Sequence, residues 1–131
     1  MSNVVTITFQ VSADKSKVTL VGEVTDPKTG DTSAACNDFV HWHIPDGSNI
    51  IGAIVAFQGK DPFSAQVLHY RWDHTSDYIW AEPMCVRWDS EDKKFPYDFC
   101  VTVKTSSNRQ PMDEVSIAGK GSLNILKRPA V

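Results

Sequence analysis

The stretch Val4-Val5-Thr6-Ile7-Thr8-Phe9-Gln10-Val11 sorts into two sets by alternate positions, and that period of two decides the fold class. Successive side chains of an extended strand point to opposite faces. Val5, Ile7, Phe9 and Val11 therefore share one face, and Val4, Thr6, Thr8 and Gln10 the other, as in a half-buried strand. The polar turn Ala13 to Ser16 leads into Lys17 to Val24, where Val18, Leu20 and Val24 oppose Thr19 and Glu23. The two runs read as a hairpin.

The same grammar continues outward. Thr25 to Asp38 collects Pro27, Gly30 and several Asp and Thr residues and reads as a long loop, a kind of segment that often carries function. Phe39 to Ile44 is a strand closed by Pro45-Asp46-Gly47, and Ile50 to Phe57 is apolar on both faces, the pattern of a central strand buried on two sides. Gln66 to Asp73 follows the turn Gly59 to Pro62; Tyr78 to Trp88 is interrupted by Pro83, which marks an edge or divides the run. Tyr97 to Lys104 alternates cleanly, with Tyr97, Phe99, Val101 and Val103 inward. Glu114 to Leu126 alternates too, and its Gly119 and Gly121 suggest a bulge or a further hairpin. No apolar pattern of helical period is sustained, so the expectation is an all-β chain of seven to nine strands with little or no helix. We expect one domain over residues 1–131, a two-sheet antiparallel β-sandwich, immunoglobulin-like or a related Greek key. Its inward set includes Ile7, Leu20, Val55, Phe99 and Val101.

Bulk properties narrow the function classes. The chain has 131 residues, 41% hydrophobic and 22% charged, and a formal charge of -3, with its thirteen Lys and Arg scattered. That balance offers no footprint for nucleic acid. The longest apolar run, Asn49 to Phe57, is far too short to span a membrane as a helix. Cys36, Cys85 and Cys100 are odd in number and unpatterned, which argues against a disulfide framework and for a reducing, cytoplasmic setting. A leader removed before this sequence begins would leave the same picture.

Chemistry-bearing patterns are few. His41-Trp42-His43 puts two imidazoles on one face of a strand, where they could share a metal. His-x-His is similar to the opening of the cupin metal motif, but the carboxylate and glycine framework of that family are missing here. The strand reading instead buries Val40, Trp42 and Ile44 and turns His41 and His43 outward. His69 joins them in one pH-sensitive or metal-binding surface on the condition that its strand neighbours theirs. Asp73, Asp77, Asp89, Glu91 and Asp92 read as solvated turns, matching no EF-hand spacing. Cys36 is the thiol best exposed by position, yet no orienting group, Gly-x-Ser-x-Gly elbow or glycine-rich phosphate loop accompanies it. The order Cys36, Trp42, Cys100, with Tyr97 near the last, is similar to that of immunoglobulin domains. Tyr97 stands three residues before Cys100 where the family has two, and the likeness extends to architecture alone.

Trp72, Tyr78, Trp80 and Trp88 bracket two polar loops and form the candidate ligand or partner surface, since strand-end aromatics beside carboxylates suit sugar and protein contacts. The expected function is a non-enzymatic binding or assembly module without cofactor, presenting the Thr25 to Asp38 loop and these aromatics to a glycan or protein. The runner-up is a metal-dependent protein using His41, His43 and His69. A third class is a homo-oligomer that assembles through strand edges, with Pro83 at one of them.

Overall fold

The computed structural model describes residues 3–45, 49–60, 62–63, 84–87, 92–104 and 114–126, and the backbone of 69–73. The described residues form nine strands and no helix: β1 Val4–Val11, β2 Val18–Val21, β3 Asp31–Ala35, β4 Phe39–His43, β5 Ile50–Phe57, β6 His69–Asp73, β7 Met84–Cys85, β8 Lys93–Lys104 and β9 Glu114–Leu126. They make a four-stranded sheet in the order β2-β1-β4-β7 and a five-stranded sheet in the order β3-β9-β8-β5-β6. One buried cluster draws on both, with Ile7, Phe9, Leu20 and Trp42 from the first sheet and Val55, Tyr97, Phe99 and Leu123 from the second. Phe9 meets Phe99 at a ring-centroid distance of 5.5 Å, and Trp42 meets Tyr97 edge-on at the same distance. Two sheets pressed together by alternating inward side chains constitute a β-sandwich-like architecture.

The inward set read from the period of two is buried: Ile7, Leu20, Val55, Phe99 and Val101 are all in the core. Both sheets, however, are mixed rather than antiparallel. β1 runs parallel to β4, and β3 runs parallel to β9. Alternation records which face of a strand is buried and is blind to the direction of its neighbour.

Four local expectations are corrected. The Thr25 to Asp38 loop contains β3, whose small residues Thr32 and Ala34 alternate into the core without an apolar run to announce them. β2 ends at Val21, so Val24 lies in a turn and is exposed rather than sharing the face of Leu20. β5 is flanked by β6 and β8, but its outer face is open, with Ile54 41% exposed. Gly119 and Gly121 mark neither bulge nor hairpin, since β9 stays in unbroken register with β8 from Glu114 to Ile125. A Cβ at Gly119 would overlap the Phe99 ring, and one at Gly121 would lie 2.6 Å from the Tyr97 hydroxyl. The glycines are seats for two aromatic rings.

β8 begins earlier than Tyr97 and passes through Pro96. The Pro96 carbonyl accepts the Gln58 N–H (3.2 Å) just past the end of β5. The missing proline N–H faces the same side, so the reciprocal bond to the Gln58 carbonyl is forgone where β5 has already ended. No helix among the described residues is long and apolar enough to cross a membrane.

Candidate functional site

A cleft of about 740 Å³ opens on the flank where the chain leaves one sheet for the other. β1 pairs with β4 from Val4 to Thr8, but with β2 only from Thr8 to Val11. Beyond Val21 the chain turns away, with the Thr25 N–H donating to the Gly22 carbonyl (3.3 Å). Glycine is required at that corner, because a Cβ on Gly22 would lie 2.5 Å from the Thr6 carbonyl oxygen.

Two polar anchors hold the cleft walls. The buried hydroxyls of Thr25 and Thr32 are 2.8 Å apart, and the Ser33 N–H donates to the Val24 carbonyl (3.0 Å), which fixes the turn against β3. Asp38, only 5% exposed, accepts the Asn3 N–H (3.2 Å) and the Ala35 N–H (3.0 Å), tying the start of β1 to the end of β3. A carboxylate that accepts backbone donors from two segments in this way stabilises both at once.

Val5 and Ala34 form the buried floor of the cleft, and Val4, Val24 and Leu126 its open walls. Among the described residues five large hydrophobics are exposed, and three of them, Val4 (60%), Val24 (46%) and Leu126 (52%), line this cleft. Single exposed aliphatics are ordinary; here three of them converge on one concavity. The described lining residues carry two carboxylates, Glu23 and Asp38, and no Lys, Arg, His or Cys.

The sequence reading reached this place only through the Thr25 to Asp38 stretch. Val4 carries no signal of its own, being an outward member of an alternating strand, and alternation places Val24 on the core face.

The histidines take the places the strand reading assigned. Trp42 is buried, His41 is half-buried and His43 is exposed. The two imidazole rings lie 6.1 Å apart on the outer face of β4, opposite Thr6 and Thr8 of β1. Burial, and secondarily the neighbouring His43, push the His41 pKa below its usual value. His69 does not satisfy the condition for joining them: its strand, β6, belongs to the five-stranded sheet and β4 to the other. Among the described residues no group of three or more His, Cys, Asp and Glu could hold a metal ion.

The remaining candidates are dispersed. Trp72 stands on β6 opposite Ala53 in backbone register, while Tyr78, Trp80 and Trp88 lie outside the described residues, as do Asp77, Asp89 and Glu91. Cys36, expected to be the most accessible thiol, is buried, because the turn that directly follows β3 packs it against the core. No known family model matches the sequence, and no curated protein matches it.

Proposed function

We propose that the chain is a non-enzymatic binding module whose contact surface is the cleft between the start of β1 and β3, and whose ligand is a protein. The convergence of Val4, Val24 and Leu126 on one concavity supports this reading. Among the described lining residues the walls are aliphatic with no aromatic ring, which suits peptide side chains better than sugars.

Titration with N-acetyl-leucine methylamide, followed by amide NMR shifts, tests it. Shifts should cluster on Val4, Val24, Ala35 and Leu126, and the double substitution Val24→Asp with Leu126→Asp should abolish them. Shifts scattered over both sheets, or unchanged by the double substitution, would refute the cleft as the contact surface.

A further inference from the structure

Resting on that reading, we infer that the ligand is an extended peptide that binds by adding a short strand to the open edge of β1. In a strand the N–H and C=O of one residue point to the same side, and the sides alternate along the chain. The Asn3 carbonyl accepts the Phe39 N–H (2.8 Å), so odd-numbered residues of β1 turn their backbone groups toward β4. Even-numbered residues therefore face the other way, toward β2. Thr8 and Gln10 meet Val21 and Thr19 there. Val4 and Thr6 face the same side beyond the point where β2 has departed, and no strand among the described residues pairs with them on it.

Gly22 lies against the Thr6 carbonyl. The Val4 N–H, the Val4 carbonyl and the Thr6 N–H are left as the groups an incoming strand would meet. Strand addition draws its affinity from such main-chain groups and its specificity from pockets for alternate side chains. Val24 and Leu126 flank the edge where those side chains would rest.

The occupant is further defined by shape and charge. The edge lies in the cleft between the Val24 turn and β3, a concavity that suits a slim extended segment better than the edge of a second folded sheet. From Val4 to Thr6 the unpaired edge spans three residues, or about 10 Å at the rise of a strand. The Asp38 carboxylate is engaged by backbone N–H groups, which leaves Glu23 as the exposed charge of the lining. With no cation among the described lining residues, the complementary segment alternates small aliphatic residues and carries a Lys or Arg at one end.

The test uses the full chain and a set of end-blocked hexapeptides with lysine first and Val, Leu, Ile or Thr in the next five places. The best binder should slow hydrogen exchange at the Val4 and Thr6 amides by at least about tenfold, and N-methylation of one alternate set of peptide nitrogens should remove binding while methylation of the other set leaves it. Binding that Val24→Asp with Leu126→Asp abolishes, but that leaves those two amides exchanging as before, overturns strand addition and keeps the cleft. Failure of every hexapeptide at about 1 mM, while N-acetyl-leucine methylamide still shifts the cleft, overturns it equally. Failure of both probes refutes the cleft as well. Protection of both amides before any peptide is added would show the edge already covered and would also overturn the proposal.

Discussion

Asp38 has more leverage than any exposed carboxylate of the chain, because it is buried and its oxygens receive the N–H groups of Asn3 and Ala35. Asp38→Ala leaves two donors without their acceptor, and it should cost about 2–3 kcal/mol in chemical denaturation; a loss below the error of the measurement would show the two bonds to be dispensable. His41 gives a residue-scale pH effect whose sign is set by its environment. Its lowered folded pKa means that the unfolded chain binds the proton more tightly. The stability it contributes is complete above the unfolded value of about 6.5 and declines as pH falls through that value toward the folded one. Melting temperature should therefore fall between pH 7.5 and 5.5, and His41→Gln should make that fall shallower. Identical slopes in the two proteins would show that His41 is not responsible. The outward placement of His41 and His43 was legible from the alternation of β4. The burial of Asp38 was not, because its partners Asn3 and Ala35 come from two other parts of the chain.

At the scale of elements, β9 shows how local chemistry can be read correctly and assigned the wrong cause. Gly119 and Gly121 are indeed special positions, but the requirement comes from Phe99 and Tyr97 on β8 and not from the path of β9. Gly119→Ala should destabilise the protein by about 1–3 kcal/mol, the usual cost of forcing an extra carbon into a packed core. Paired with Phe99→Ala, which removes the ring the new carbon would strike, the glycine substitution should cost markedly less; strict additivity would contradict the seat. β3 is the converse case. Five residues, Asp31–Ala35, too polar and small to look like a strand, are recruited by β9 along one side. Their other side is occupied by the turn before them and by Asp38: Asp26 donates to the Asp31 carbonyl, Ser33 to the Val24 carbonyl and Ala35 to the Asp38 carboxylate. Edge groups covered in this way are closed to outside pairing, whereas no strand among the described residues covers the Val4 to Thr6 edge across the cleft.

The molecule as a whole is held by pairings between distant parts of the chain, among them β3 with β9 and β1 with β4. Each closes a long loop before its contacts form. Refolding followed by tryptophan fluorescence should therefore take milliseconds to seconds, as in other β-rich topologies; completion in microseconds would contradict the topology. Separation into two sheets is also what keeps His69 away from the strand of His41 and His43, and what places Val4, Val24 and Leu126 around one cleft. What the sequence by itself determined was the all-β character, the inward faces of β1, β2, β4 and β8 and the outward turn of the two histidines. These follow from a period of two, which is a property of the extended backbone over a few residues and needs no partner. The parallel pairings, the strand hidden in 25–38, the ring seats at Gly119 and Gly121 and the cleft were decided only by tertiary structure. Each depends on which distant segment arrives alongside, and in which direction, and a period of two is the same for every neighbour.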